Sequence, residues 1–208
     1  VGGERGAPSL LLVGPAHGAA ADHELVERGA HAPYRVGTVV PVDDQLGDHR
    51  VVVKRDLAAL IDAINRKSSH HILSIEDPIE VVHANKKSLV NQREIGAHVF
   101  SFSTGLRAAL RQDRDVLMIG EIRDFETISA AVSAAETGHL VFGSVHTTSA
   151  AATVDRLVSA APSTQQDHMR SLLAGSLRAV ICQFLLRRLS GGRCLAVEVM
   201  INNEAVAS

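Results

Sequence analysis

The chain has 208 residues, 46% of them hydrophobic, and a formal net charge of -2 from 21 basic and 23 acidic side chains. A core of useful size can form, while no overall basic field recommends nucleic acid or an anionic membrane as the main partner. The longest wholly apolar runs, Leu10 to Val13 and Val116 to Ile119 among them, fall far short of the ~20 residues that a bilayer-spanning helix needs.

Tryptophan is absent and aromatics make up 3% of the chain, which disfavours sugar-binding and base-stacking surfaces. Cys182 and Cys194 stand in no metal or redox spacing and read as small buried residues in a reducing cytosol. Arg5, a short apolar run and the small residues near Ala19 make a poor secretory leader, because the apolar centre is shorter than the ~7 residues required.

Residues 1–50 contain no Lys, Ile, Asn, Phe or Met, whereas isoleucine recurs from Ile61 onward. The break divides the chain into an unassigned segment, residues 1–50, expected to be disordered or weakly packed, and a core, residues 51–208. A displaced or out-of-frame stretch joined to an intact core would leave such a break. The first segment offers strand candidates at Ser9 to Val13 and Val36 to Val42, with turn-forming residues between them.

Past the break the pattern becomes regular. Leu57, Leu60, Ile61 and Ile64 recur at i, i+3, i+4 and i+7, so Asp56 to Lys67 reads as an amphipathic helix capped by Asp56. His71 to Glu76 reads as a short buried strand stopped by Asp77-Pro78, with Ile79 to His83 and Ser88 to Arg93 as further strands. Ser103 is the expected cap of a helix through Gln112. The continuous apolar run Val116 to Ile119 suits a strand buried on both faces of a parallel sheet. Asp124 opens a helix through Glu136, closed by Gly138. Leu140 to Val145 is the next strand, Ser149 to Ser159 the next helix, and Gln165 to Val180 another. Leu185 to Arg188 and Cys194 to Met200 flank Ser190-Gly191-Gly192 as a hairpin. This alternation predicts an α/β fold, a largely parallel sheet flanked by helices with a C-terminal hairpin.

Several constellations stand at strand ends, where ligands of parallel sheets bind. Gly120-Glu121 follows an apolar strand, so the carboxylate of Glu121 can orient a water toward a γ-phosphate, with Asp115 sharing the local charge; a glutamate that merely ends a strand beside Arg123 fits the same six residues. Glu76, Asp77 and Glu80 place three carboxylates within five residues, a pattern that suits a largely water-mediated Mg²⁺ shell or a solvated acidic loop. His139 and His146 stand seven apart and point to opposite faces of one strand, a poor zinc pair. His146, at the strand's C-terminal end, is the better placed to meet phosphate, and His139 can simply finish the preceding turn. Arg93, Arg107, Arg111, Arg114 and Arg123 form either a solvated, ion-paired face or a set of contacts between subunits, Arg107 and Arg111 lying one helical turn apart.

The stretches SIEDPIEVVH, LVNQREIG, FSTGLRAALRQDRDVLMIGEIRD and AAETGHLVFGSVHTTSAAATVDRL together resemble the secretion and type IV pilus ATPase family, twitching-motility retraction motors above all, over Leu57 to Met200. The resemblance implies a RecA-like P-loop NTPase core, so that residues 51–208 are a partial RecA-like ATPase domain. It also implies ATP and Mg²⁺ as ligands, a hexameric ring in the cytoplasm or at the inner-membrane face, and pilus or secretion platform proteins as partners, without nucleic acid. By the same resemblance Glu121 is the catalytic base, and Glu76, Asp77 and Glu80 position metal and water. His139 and His146 form the histidine box, and Arg93, Arg107 and Arg111 lie at the nucleotide interface. No side chain is assigned as a direct metal ligand.

One family element is missing. Nowhere among the 208 residues is there G-x-x-x-x-G-K-[ST], and no lysine follows a glycine. GDHRVVVKRD stands where the family carries a glycine-rich loop, and Lys54 has no preceding glycines to build a nest of backbone N–H groups. Gly14-Pro15-Ala16-His17-Gly18 echoes such a loop, but Ala19 and Ala20 stand where lysine and hydroxyl are needed. Arg114 replaces a usual proline, a change expected to be minor. Two readings follow: an ATP-hydrolysing motor core for pilus retraction or type II/IV secretion, impaired by the missing loop, or a non-hydrolytic subunit or remnant that docks on a motor ring.

Overall fold

Helix and strand signals alternate along the chain, and a computed structural model, which describes residues 8–13, 34–42, 49–187, 189, 192–203 and 206, turns them into one sheet with helices against it. The elements are β1 (Pro8–Val13), β2 (Tyr34–Val42), α1 (His49–Lys67), β3 (His71–Glu76), β4 (Leu89–Glu94), α2 (Phe102–Ala109), β5 (Val116–Ile119), α3 (Phe125–Glu136), β6 (Leu140–His146), α4 (Ala150–Ser159), a 3-10 turn (Ser163–Gln165), α5 (Gln166–Ser176), β7 (Leu177–Arg187) and β8 (Arg193–Ile201).

The sheet runs β2-β8-β7-β1-β6-β5-β3-β4. Its β6-β5-β3-β4 block is parallel, with the irregular stretch 77–88 crossing from β3 to β4, α2 from β4 to β5 and α3 from β5 to β6. The remaining strands extend it antiparallel, with β7 and β8 as the C-terminal hairpin. The α/β class, with helices against a parallel core and a terminal hairpin, is therefore as the sequence implied.

Period-2 alternation sorts the parallel strands onto two cores. Ile72, Val116, Met118 and Phe142 face α1, where they meet Leu57, Ile61 and Ile64. Leu73, Ile75, Leu117, Ile119, Val141 and Val145 face the opposite way, against the helices α2 to α5. Leu57, Ile72, Leu73 and Leu106 are all 0% exposed, and full burial of such a side chain stabilises by roughly 1.5–3 kcal/mol. Strands buried on both faces explain why Val116 to Ile119 shows no polar alternation. Cys182 is buried and Cys194 partly so, with no disulfide between them.

Local chemistry fixes most helix starts. Asp124 accepts from the backbone N–H of Thr127 at the start of α3, and Ser149 does the same for Ala152 at α4. Ser101, not Ser103, caps α2, through a capping box with Thr104. That helix ends at Ala109, so Arg111 lies in the following turn and not one helical turn beyond Arg107. Asp56 is not a cap either: α1 begins at His49, and the side chain of Asp56 accepts a hydrogen bond from Gln183 Nε2 on β7.

One strand expectation and one helix expectation change for identifiable reasons. Ile79 to His83 is irregular, because side chains take the bonds that a ladder would make. Gln92 accepts from the His83 N–H at 2.7 Å and donates to the Val81 carbonyl at 2.9 Å, and Glu94 accepts from the Ile79 N–H at 3.0 Å. The helix expected through Val180 stops at Ser176, and the chain continues as β7, which pairs with β1 and β8. Pairing across the sheet outweighs helical propensity there. β1 and β2 match the two strand candidates of the first fifty residues; the expectation of disorder elsewhere in that segment, His49 and Arg50 apart, falls outside the described residues.

Candidate active site

Three parallel strands deliver polar groups to one edge of the sheet. Glu76 ends β3, Gly120-Glu121 follows β5, and His146 ends β6. Glu121 Oε1 lies 3.3 Å from His146 Nε2. Gly120 permits the approach of β3 and β5: a Cβ there would stand 3.3 Å from both Glu76 Cα and the Ile75 carbonyl oxygen, and the Gly120 N–H donates to that same oxygen at 2.8 Å. From the other side Ser144 Oγ donates to the Gly120 carbonyl at 2.5 Å, and the Ile122 N–H to the Ser144 carbonyl at 2.8 Å. The backbone on both sides of Glu121 is thereby tied to β3 and β6.

The carboxylates differ sharply in surroundings. Glu76 is buried at 7% exposure and accepts from Ser74 Oγ at 2.6 Å and Gln92 Nε2 at 3.0 Å. Ser74 and Glu76 alternate with Leu73 and Ile75, so they point to the α1 side of the sheet. Glu121 is held by Arg123, whose pKa is raised chiefly by its hydrogen bonding to that carboxylate. Asp77 and Glu80 are exposed, and Glu80 pairs with Lys54 of α1, Oε1 to Nζ at 2.5 Å. His83 lines the same cavity; burial pushes its pKa down, opposed by the charge of Glu76.

The cavity between these groups is lined by Lys54, Leu57, Glu76, Asp77, Glu80, His83, Gly120 and Glu121 among others, with room of about 20 Å³. That is close to what one water needs. Among the described residues no three His, Cys, Asp or Glu side chains converge as a metal shell. The acidic groups of this arrangement are met by Lys54, Arg123, Ser74 and Gln92.

The site thus gathers Glu76, Asp77, Glu80, Glu121 and His146, as their placement at strand ends suggested, and leaves out others. His139 precedes β6 at its opposite end, where Nδ1 lies 2.9 Å from the Ala134 carbonyl and 3.2 Å from Thr137 Oγ1; it finishes the helix-to-strand turn. Asp115 does not share charge with Glu121. It precedes β5, with the whole strand between them, and accepts from the His71 N–H at 2.7 Å with His70 Nδ1 3.5 Å away. Arg93 donates to Gln112 Oε1 at 3.1 Å, and Arg107 pairs with Glu126 at 2.6 Å between α2 and α3. Arg111 is exposed, with no side-chain partner among the described residues. None of the three arginines lines the cavity.

Lys54, Ser74, Gln92 and Ser144 complete the site and carry little local signal, since all but Ser74, which donates to Glu76 two residues on, act on groups far away in sequence. Ser74 and Ser144 could have been noticed as hydroxyls within otherwise apolar strands. The phosphate-loop echo after β1 is set aside by the register: Pro8 faces His146 and Val13 faces Val141. The strand runs from the candidate site toward the opposite edge, the reverse of the direction that would deliver a loop to phosphate.

Comparison with known proteins shows the family and the fold. The family model for type II/IV secretion system proteins matches residues 55–205. The type IV pilus retraction ATPase PilT of Pseudomonas aeruginosa is 53% identical over 150 residues, covering 72% of this chain and 44% of the relative. A twitching motility protein of Neisseria gonorrhoeae is 55% identical over 151 residues, covering 72% and 40%. The crystal structure of the pilus retraction motor PilT with bound ADP superposes with a TM-score of 0.69 at 50% identity, covering 73% of this chain and 44% of that one. The ATPase DotB of Legionella pneumophila gives 0.70 at 33% identity, covering 74% and 43%. The chain spans less than half the length of these relatives.

Proposed function

The chain belongs to the type II/IV secretion system protein family, and from that premise we propose that it is the water-activating part of a motor ATPase serving pilus retraction or secretion. The observation that carries this reading is the pairing of Glu121 with His146 at 3.3 Å, at the C-terminal edge of the parallel strands and beside the buried Glu76. A carboxylate so placed can orient a water and accept its proton as a phosphate ester is attacked, and a histidine beside it can sense the charge that leaves. His139, Arg93, Arg107 and Arg111 then serve the fold or contacts with neighbouring subunits. A cytoplasmic ring of like subunits, docked on an inner-membrane pilus or secretion platform, suits this reading; among the described residues no helix is long and apolar enough to cross a membrane.

A second reading, a non-hydrolytic subunit docking on a motor ring, is favoured by a specific observation. The sequence holds no glycine-rich phosphate nest, and β1 runs the wrong way to supply one. The two separate by thermal unfolding with millimolar Mg-ATP together with phosphate release, for the wild type and Glu121→Gln. A ligand at 100 times its Kd adds about 2.7 kcal/mol to stability. The hydrolytic reading expects a rise in Tm for both proteins and phosphate release from the wild type alone. No rise in either, with no release, leaves the docking subunit.

A further inference from the structure

We propose that Lys54 is a built-in counter-cation that closes the carboxylate pocket against a divalent cation and the phosphates it would carry. The inference deepens the reading above and rests on its placing of the nucleotide site at this edge. Lys54 stands on the face of α1 that covers the Ser74–Glu76 side of β3, with Nζ 2.5 Å from Oε1 of the exposed Glu80. It lines the same cavity as Glu76, Asp77 and Glu121.

Three of the four carboxylates that line the pocket are met from within the chain, and the fourth, Asp77, is exposed. Glu80 has Lys54, Glu121 has Arg123, and Glu76 accepts from Ser74 and Gln92. The remaining room of about 20 Å³ admits roughly one water. A divalent ion that enters between these carboxylates meets the ammonium of Lys54 and the guanidinium of Arg123, and the repulsion falls as Lys54 leaves Glu80. A lysine at such a place has one other use, holding a phosphate. That use needs the ammonium free of carboxylate and flanked by a nest of backbone N–H groups, and the sequence before Lys54 supplies no glycines for one. The two roles predict opposite signs when the ammonium is removed.

The test uses the full chain with Lys54→Met, which keeps the apolar stem, Lys54→Gln as a second neutral variant, and Lys54→Arg, which keeps the charge. Mn²⁺ alone is titrated by its paramagnetic resonance signal, and Mg-ATP by its effect on Tm. Neutral variants are expected to bind Mn²⁺ about two- to fivefold more tightly than the wild type and to show the larger Mg-ATP shift, with Lys54→Arg behaving as the wild type. Adding Glu80→Gln to Lys54→Met should return Mn²⁺ affinity toward the wild-type value. Equal Mn²⁺ affinity in wild type and neutral variants, or a smaller Mg-ATP shift in the neutral variants, overturns the proposal. Failure of the hydrolytic reading appears separately, as phosphate release indifferent to Glu121→Gln, and leaves the Mn²⁺ comparison standing.

Discussion

Arg123 grips both carboxylate oxygens of Glu121, Nε to Oε1 at 2.5 Å and Nη2 to Oε2 at 2.5 Å, while Oε1 also faces His146 Nε2 at 3.3 Å. The arginine side chain is 60% exposed and its partner 19%, so water screens much of the attraction. Arg123→Met is expected to cost less than about 1 kcal/mol of stability in urea unfolding. A loss above about 2 kcal/mol would make Arg123 a strut of the fold and not a partner chosen for Glu121.

The carboxylates on neighbouring positions should behave very differently. Glu76 is the buried acceptor for Ser74 and Gln92, so Glu76→Ala leaves polar groups without a partner and should cost roughly 1–3 kcal/mol. Glu80 is exposed, and Glu80→Ala should change stability by about 0.5 kcal/mol or less. Equal costs from paired urea titrations would contradict the burial difference on which the site description depends.

Gly143 sits opposite Ile122, one residue from Glu121. A Cβ at Gly143 would fall 2.5 Å from Ile122 Cδ1, and Ile122, 3% exposed, is packed in the core and has little room to yield. Gly143→Ala should therefore cost about 1–3 kcal/mol. Ile122→Val removes the clashing Cδ1, so the double variant should recover more than half of that loss. Strictly additive single costs in a double-mutant cycle would show that the clash is relieved elsewhere.

Legibility followed the range of the interactions. Asp124 as a cap, the doubly buried β5 and Glu121 at its end could be read locally, because a cap, a four-residue apolar run and a strand terminus are short-range patterns. Asp56 and Ser103 were legible as caps yet are not, since α1 begins earlier and Ser101 makes the better box. Ile79 to His83 has strand composition, but the Gln92 amide takes the bonds of that backbone. Lys54 meets Glu80 across 26 positions, and no local pattern announces such a pair.

Arg114, expected to be a minor departure, is the least comfortable side chain of the core. It is 6% exposed, its Nε and Nη1 have no partner among the described residues, and its Nη2 shares the Gln112 Oε1 with Arg93. Burial first, and the charge of Arg93 second, lower its pKa to about 10. Arg114→Met removes a buried charge and two unmet donors while keeping an apolar stem, and should raise stability by roughly 1–3 kcal/mol. A destabilised variant in urea unfolding would mean that the stem, and not the head, dominates at this position.

Asp56 gives stability a pH dependence of defined sign. Burial raises its pKa, and the hydrogen bond from Gln183 only partly opposes this, so the folded protein holds the proton more tightly than the unfolded chain. The stabilising contribution of the protonated acid is complete below the unfolded value of about 3.9 and is lost as pH rises through the higher folded value. At neutral pH the ionised carboxylate is therefore a burden, and Gln183 Oε1 lies buried without a donor among the described residues. Asn at position 56 removes the charge and brings an N–H₂ group that can donate to that oxygen. Asp56→Asn should be more stable than the wild type at pH 7, with the advantage narrowing as pH falls toward 4. Urea midpoints measured across that range check the sign, and a constant difference would remove Asp56 as its source.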